Sequence, residues 1–223
     1  TYFGLLTFFI TYLICIPLGV FKAVRHNQLS DDLTSILIFV GYAVPGYALG
    51  SFLLLFLSVN MDLLPMGGLV SDRYEELGTW DRLVDLLSHT IQPLCCYLIG
   101  GFAFVTMLMK NHLMDNLSAD YVRTAMAKGV SFKNAVRKHA LRNSLVPLAT
   151  NVGHQVTLFV TGSFLIETIF DIDGFGLLGF NSVIDRDYPV VMGILTLSAT
   201  LMLLGNILSD ALVALVDPRV RFE

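Results

Sequence analysis

Three polar side chains interrupt an otherwise apolar stretch of the sequence, and their spacing limits the chemistry that they can perform. They are Asn151, His154 and Gln155. Residues three and four positions apart share one face of a helix, so a single face would carry all three. If that helix crosses a membrane, the face turns toward protein or water because polar groups are costly in hydrocarbon. The three side chains therefore either form hydrogen bonds between helices or line a translocation path.

The rest of the sequence contains no motif that indicates covalent catalysis. The few acids near apolar stretches are isolated, and neither a Ser/His/Asp arrangement nor a His-Glu-x-x-His motif is present. The cysteines Cys15, Cys95 and Cys96 lie in apolar stretches, and no Cys/His spacing resembles a metal site. We therefore predict packing thiols, no catalytic residue and no metal site.

Two acids and two glycines stand at the borders of apolar stretches. Glu167 follows Gln155 by 12 residues, which turns it about 120° away from the polar face. A loop that contains Gly174 and Gly176 begins beyond it. Asp210 ends the last apolar stretch, where an acid costs far less than at the centre of a bilayer. We predict structural or gating contacts for Glu167, Gly174, Gly176 and Asp210.

The segment 110–142 carries seven basic residues, and its pattern predicts two short helices joined at a glycine. Ser118 is the expected N-cap of a helix over 119–128, Gly129 its stop, and Ser131 the cap of a second helix that continues to residue 143. A basic surface of this kind can attract anionic lipid at ~1 kcal/mol per basic residue. An amphipathic helix can also dock in a groove of a cytoplasmic partner, and this is the interpretation we favour.

Membrane-spanning helices must position these residues. Only 14% of the 223 residues are charged, whereas soluble domains have about 25%. Five stretches without Asp, Glu, Lys or Arg hold 120 residues, and each is long enough to cross a bilayer as a helix. We therefore predict an all-α integral membrane protein, a single domain over 1–223, with five transmembrane helices. The predicted spans are about 1–21, 33–59, 86–109, 143–167 and 188–213.

The distribution of basic residues predicts the orientation. Eleven of the 14 Lys and Arg residues fall in the segments 22–32, 110–142 and 210–223. The loops 60–85 and 168–187, with Glu167 at the border, contain three basic residues and eleven acids. By the positive-inside rule, these two loops are external, and the carboxyl end and the loop 110–142 are cytoplasmic.

Several motifs follow one another along the chain in a recognisable order. They are Asp120-Tyr-Val-Arg-Thr-Ala-Met-Ala-Lys-Gly129, His139-Ala-Leu-Arg-Asn143 with Pro147, Gly162-Ser-Phe-Leu-Ile-Glu167-Thr-Ile-Phe170, Gly174-Phe-Gly176, Arg186-Asp-Tyr-Pro189 and Asp217-Pro-Arg219. Together they resemble the permeases of binding-protein-dependent ABC importers, in the dipeptide/oligopeptide/nickel branch and most closely of the Yej type. The resemblance covers essentially the whole chain.

The resemblance implies that the helix at 120–129 is a short cytoplasmic coupling helix. The residues implied in contact with an ATPase are Tyr121, Arg123, Thr124, Ala125, Lys128 and Gly129. Importers outside the peptide branch have Glu-Ala-Ala where this chain has Arg123-Thr124-Ala125, so a contact through that glutamate is not available here. Because such permeases begin with a further helix, the chain resembles the carboxyl-terminal five-helix domain of a six-helix subunit.

The same resemblance implies a permease subunit without catalytic activity in a bacterial inner membrane. ATP and Mg²⁺ would bind to two cytoplasmic ABC ATPase subunits or to one fused ATPase, and this chain would bind no cofactor. A sister permease subunit would complete a heterodimer, and an extracytoplasmic binding protein would deliver peptide to the outer loops. Membrane lipid would surround the spans, and nucleic acid is not an expected partner.

Two other classes of transport protein remain as alternatives. A secondary transporter commonly has an internal repeat and a coupling-ion site, yet the sequence has no period of this kind and no charged residue near the middle of a span. A channel subunit needs a filter or a ring of pore charges, for which the Gly- and Pro-containing stretch 41–50 is the only candidate. The chemical identity of the substrate leaves no clear mark on this one chain.

Overall fold

The protein was studied as a computed structural model, which describes residues 2–216 except for the side chains of His154 and of residues 157–161. The described part is helical, at 82%, and contains no strand. The prediction of an all-α chain with several apolar helices is therefore confirmed. The predicted motif Asp217-Pro218-Arg219 lies outside the described residues.

Eleven α-helices follow one another in the described residues, with two π-helical segments and one short 3₁₀ helix between them. They are α1 (Tyr2–Val24), α2 (Leu29–Ala43), α3 (Gly46–Leu53) with the π segment Leu54–Asn60, the 3₁₀ helix Tyr74–Glu76, α4 (Thr79–Ser118), α5 (Asp120–Ala127), α6 (Phe132–Ala135) with the π segment Val136–Ala140, α7 (Leu141–Ser144), α8 (Val146–Thr161), α9 (Phe164–Ile169), α10 (Phe175–Ile184) and α11 (Tyr188–Val216).

Three helices of the described chain are long and apolar enough to cross a membrane by themselves, namely α1, α4 and α11. A fourth span is formed if α2 and the helical stretch Gly46–Asn60 count as one bent crossing. The helix α8 has 16 residues and ends before Gly162, whose φ of +56° is unfavourable for other residues. The count of five spans therefore remains a prediction.

The break between α2 and α3 lies at Val44 and Pro45. A proline disfavours the helical conformation in the residue before it and lacks a backbone N–H, so it ends one helix and can open the next. Gly46 allows a close approach to α4, because a Cβ there would lie 2.7 Å from the carbonyl oxygen of Cys96.

The helix α4 has 40 residues and extends beyond both ends of the predicted span 86–109. Asp81 lies in its first turn, where a negative charge interacts favourably with the helix dipole. Pro93 lies inside α4 and does not interrupt it. A charge-free stretch therefore marks the part of a helix that suits lipid, and the helix itself continues through the flanking charged residues.

The chain forms two compact units, each assembled from three separate segments. Unit 1 contains residues 1–10, 41–101 and 158–199, and unit 2 contains residues 11–40, 102–157 and 200–223. The helices α1, α4 and α11 contribute residues to both units. The core of unit 1 is formed by Phe3, Cys96, Ile166, Phe170 and Ile172. The core of unit 2 is formed by Cys15, Ala23, Val105, Met109, Leu113, Val122, Ala135, Val136, Ala140 and Leu148.

The three cysteines differ in their surroundings. Cys15 and Cys96 are buried in the cores of units 2 and 1, as expected of packing thiols. Cys95 is exposed on α4, so the prediction of a packing thiol is wrong for this residue. Its neighbour Cys96 occupies the opposite environment because consecutive residues of a helix point in directions about 100° apart.

Candidate functional site

The predicted cytoplasmic helix is present in unit 2 as α5, Asp120–Ala127. Ala119 is its N-cap, and the predicted N-cap Ser118 instead donates its hydroxyl to the carbonyl of Asp115, 2.8 Å away, within the last turn of α4. Gly129 follows the helix with a φ of +90°, a conformation that favours glycine. This glycine ends α5 as the sequence predicts.

One side chain of α5 is fixed in the core of unit 2 while most of the others face outward. Val122 is fully buried and belongs to the same core as Ala23 of α1 and Leu113 of α4. The predicted coupling residues are exposed except for Ala125, which is half-buried; the exposed ones are Tyr121, Arg123, Thr124, Lys128 and Gly129. The helix α5 is thus attached through one face and exposes side chains on another.

A polar network attaches α5 to its neighbours a second time. The Tyr121 hydroxyl donates to Oδ1 of Asn116 at the end of α4, at 2.5 Å, and accepts from Nδ2 of Asn143 on α7, at 3.1 Å. Asn116 also donates to the Ser144 hydroxyl, at 3.1 Å. Sequence reasoning missed Asn116, because its spacing along the chain does not indicate a partner on another helix.

The polar face of α8 contains one contact between helices. Nδ2 of Asn151 donates to the Tyr12 hydroxyl of α1, at 3.2 Å, and that hydroxyl donates to the carbonyl of Leu148, at 3.4 Å. Gln155 is half-buried and makes no hydrogen bond to the described side chains. The side chain of His154 is not among those described. For Asn151 the contact favours the hydrogen-bonding interpretation, and the path-lining role of all three residues remains a prediction.

The helices α8 and α11 approach each other closely in unit 2. A Cβ on Gly153 would lie 2.5 Å from the carbonyl oxygen of Gly205. The buried Ser209 accepts a hydrogen bond from the Gly153 backbone N–H and donates to the carbonyls of Ala149 and Thr150. Asp210 is exposed and has no polar partner in the part of the chain that the structure describes. Ser209 thus contacts α8 at this position, and the structural or gating contact of Asp210 remains a prediction.

Glu167 is the buried acid of unit 1, with 4% of its surface exposed. Its Oε1 accepts hydrogen bonds from the Tyr97 hydroxyl of α4 and from the Ser163 backbone N–H, both at 3.3 Å. Its Oε2 accepts from the backbone N–H of Leu177 in the first turn of α10, at 2.6 Å. The carboxylate therefore joins α4, α9 and α10, and the helix dipole of α10 favours its negative charge.

Two glycines make room for this carboxylate. A Cβ on Gly162 or on Gly174 would collide with the side chain of Glu167. Gly174 is the N-cap of α10, and Gly176 lies in the first turn of the same helix. The structure thus brings Glu167, Gly174 and Gly176 together and adds Gly162 and Tyr97 to the same site, while a gating role for these residues remains a prediction.

The two loops predicted to be external contact each other within unit 1. The backbone N–H of Gly68 donates to the carbonyl of Phe170, at 2.8 Å. A Cβ on Gly67 would lie 2.8 Å from the same carbonyl oxygen. No three His, Cys, Asp or Glu side chains of the described residues are grouped as metal ligands.

Comparison with known proteins identifies the family. Residues 15–222 match the model of the "Binding-protein-dependent transport system inner membrane component" family. The chain is 42% identical to the Inner membrane ABC transporter permease protein YejB of Escherichia coli O157:H7, over 99% of this chain and 61% of that protein. It is 40% identical to the Peptidoglycan transport system permease protein YejB of Agrobacterium fabrum, over 96% and 60%.

A more distant relative is named for a different substrate. The Oligopeptide transport system permease protein AppB of Bacillus subtilis is 37% identical, over 94% of this chain and 65% of that protein. The chain therefore spans about three fifths of the length of these relatives. It belongs to the family of binding-protein-dependent transport system inner membrane components, and the resemblance stated from the sequence motifs is confirmed.

Proposed function

We propose that this member of the binding-protein-dependent transport family is a permease subunit of an ATP-driven peptide importer in a bacterial inner membrane. It forms half of the translocation path, and a sister permease subunit forms the other half. The names of relatives that are 37–42% identical to the chain over 94–99% of its length support this proposal. The apolar helices α1, α4 and α11 support a multi-pass membrane protein.

The attachment of α5 is the single observation that carries the coupling role. One residue of this helix, Val122, is buried in the core of unit 2. Tyr121 is held by Asn116 and Asn143, while Arg123 and Thr124 stay exposed. A helix that is anchored in this way is rigidly connected to α4 and α7, so a displacement of α5 also displaces them. The exposed residues bind an ABC ATPase, and the anchored residues carry its movement into the spans.

ATP hydrolysis takes place in partner proteins and not in this chain. The sequence lacks the glycine-rich Lys-Ser/Thr motif that holds nucleotide phosphates. Two cytoplasmic ATPase subunits, or one fused ATPase, bind ATP and Mg²⁺. When these ATPases close on ATP, they move α5. The translocation path then changes the side of the membrane to which it is open. This chain supplies no covalent chemistry to the cycle.

Orientation and the delivery of substrate follow from the charges. The loop 110–142 and the carboxyl end lie on the cytoplasmic side, where basic residues are enriched in membrane proteins. The loops 60–85 and 168–187 face outward and receive an extracytoplasmic binding protein. The contact between Gly68 and Phe170 supports a common surface formed by both loops.

Peptide is the proposed substrate class. The Bacillus subtilis relative is named for oligopeptide transport, and the Agrobacterium fabrum relative for peptidoglycan transport. Oligopeptides and peptidoglycan both contain peptide, so the two names are compatible with one substrate class. Competition between a free oligopeptide and peptidoglycan fragments for uptake tests which form is transported.

The test of the proposed function uses the full-length protein with its sister subunit, ATPase and binding protein in proteoliposomes. We expect Ala125→Arg to insert and assemble with the sister subunit but to lose untagged ATPase on purification and to lose peptide uptake. Asn134→Arg is the matched control, because it adds the same charge to an exposed position of α6 and should preserve both.

Three results would overturn the proposal. One is wild-type ATPase binding and uptake by Ala125→Arg. Another is uptake by the wild-type protein that needs an ion gradient but no ATP, which would indicate a secondary transporter. Passive peptide flux that neither saturates with peptide concentration nor depends on ATP would indicate a channel subunit. This result would also contradict the proposal.

A further inference from the structure

Three charged side chains of unit 2 are buried together where α1, α2 and α4 meet. They are Lys22 near the end of α1, Asp31 in the first turn of α2, and Lys110 in α4, exposed by 0%, 2% and 7%. The sequence suggests Ser30 or Asp31 as a helix cap. In the structure α2 begins at Leu29, and the Asp31 carboxylate faces the two ammonium groups.

The ammonium group of Lys22 is fully engaged by residues of α2. Its Nζ lies 2.8 Å from Oδ1 of Asp31 and also donates to the Asp31 carbonyl, at 2.8 Å. It donates further to the hydroxyls of Thr34 and Ser35, at 2.9 and 2.7 Å. An ammonium group has three protons to donate, so this group needs no additional partner. Lys22 and Asp31 form a charge-balanced, hydrogen-bonded pair.

Lys110 adds a second ammonium group to a carboxylate that is already paired. Its Nζ lies 2.9 Å from Oδ1 and 2.7 Å from Oδ2 of Asp31. His26 stands near the same carboxylate, with Nδ1 3.3 Å from Oδ2, but its side chain is 42% exposed. The buried part of the cluster therefore carries two positive charges and one negative charge.

Stability alone does not account for the second lysine. Removing an ion from water is costly, and an apolar side chain in place of a buried ion is often neutral or stabilising. A simple apolar residue at position 110 would leave the balanced pair of Lys22 and Asp31 intact. What Lys110 adds is a directional attachment of α4 to α1 and α2, through two charge-assisted hydrogen bonds.

This attachment lies beside the residues that hold the coupling helix. Met109 precedes Lys110, and Leu113 follows it by one turn of α4; both are fully buried. They belong to the same core as Ala23 of α1 and Val122 of α5. A displacement of α5 that reaches α4 through Val122 therefore meets the charged cluster within one helical turn.

We propose that Lys110, through Asp31 and Lys22, is a positioning residue that makes α1 and the start of α2 move together with α4 when the coupling helix moves. The proposal rests on the proposed function, in which α5 receives the movement of an ATPase. Core contacts alone permit small sliding of packed helices. The charged cluster opposes such sliding because it requires separation of buried opposite charges.

The test compares peptide imported per ATP hydrolysed by the full complex in proteoliposomes. Lys110→Met keeps a long side chain and leaves the pair of Lys22 and Asp31 balanced, so we expect normal assembly and thermal stability. We expect the import per ATP to fall by about fivefold or more, the lower end of ordinary coupling between sites. Lys110→Arg restores two hydrogen bonds to Asp31 and should recover most of this ratio.

Arg25→Met is the matched control. Arg25 is an exposed basic residue that directly follows α1, three positions after Lys22, and its guanidinium lies 4.6 Å from the ring centre of Phe21 in the last turn of α1. We expect this variant to import as much peptide per ATP as the wild type. If Lys110→Met does not assemble, Lys110→Gln replaces it, since it keeps one donor to Asp31 without the charge.

The outcomes separate this inference from the proposed function. A wild-type ratio in Lys110→Met or Lys110→Gln overturns the positioning role while the proposed function stands. A loss of ATPase rate in proportion to the loss of import also overturns it, because that result indicates a general loss of folded complex. Absence of ATP-dependent import by the wild-type complex would instead refute the proposed function.

Discussion

The Glu167 carboxylate accepts a hydrogen bond from the Leu177 backbone N–H, at 2.6 Å, and thereby provides the first turn of α10 with the acceptor that its N-cap lacks. The N-cap is Gly174, which has no side chain to perform this task. A residue from a different helix thus caps α10 and determines where this helix begins. Movement of α9 would consequently be passed to α10, which supports a gating role for Glu167.

The first prediction concerns the charge of this acid. Glu167→Gln replaces one acceptor oxygen by an amide that faces the same N–H and O–H donors, so we expect a loss of about 1–3 kcal/mol in the free energy of unfolding. Thermal unfolding of the purified protein measures this loss. Asp173→Asn, at an exposed position near α10, should change stability little, and equal effects of the two substitutions would contradict the assignment.

A second prediction concerns the glycines around the same carboxylate. Gly174→Ala places a Cβ against the Glu167 side chain, and the overpacking should cost about 1–3 kcal/mol. Gly193→Ala is the matched control, because a Cβ there meets nothing within 4 Å and alanine is favoured in a helix by ~1 kcal/mol. The two alanine substitutions should therefore shift the melting temperature in opposite directions. A melting temperature unchanged by Gly174→Ala would refute the close packing of this site.

The third prediction separates two residues on the polar face of α8. Asn151→Ala removes the hydrogen bond to Tyr12, and such bonds between membrane helices contribute about 1 kcal/mol. Gln155→Ala should cost less, since Gln155 has no hydrogen bond to a described side chain. Thermal stability and peptide uptake are measured for both variants. Equal stability of the two would favour the alternative interpretation, in which both residues line the path.

The fourth prediction tests the orientation by labelling single cysteines in a background without the three native ones. Asp72→Cys and Asp185→Cys occupy exposed positions of the two loops assigned to the outside, and Ser131→Cys occupies an exposed position of the loop assigned to the cytoplasm. An impermeant thiol reagent should label the first two sites in intact spheroplasts. It should reach Ser131→Cys only after the membrane is opened. Labelling of that site in intact spheroplasts would reverse the orientation.

Local features of the molecule were predictable because short-range chemistry determines them. The stop of α5 at Gly129 follows from a backbone conformation that glycine adopts more easily than other residues. The apolar character of α1, α4 and α11 follows from long stretches without charge. The ends of α4 were not predictable in the same way, because Asp85 and Lys110 limit the part of a helix that suits lipid and not the helix itself.

Contacts between distant residues required the tertiary structure. The sequence by itself determined an all-α membrane chain, its family motifs and a helix at 120–127, since each depends on neighbouring residues or on composition. It did not determine that Lys110 meets Asp31 across 79 positions, or that Ser209 and not Asp210 contacts α8. A step of one position along a helix changes the direction of the side chain by about 100°. Which residue reaches a neighbour is therefore decided only when the helices pack together.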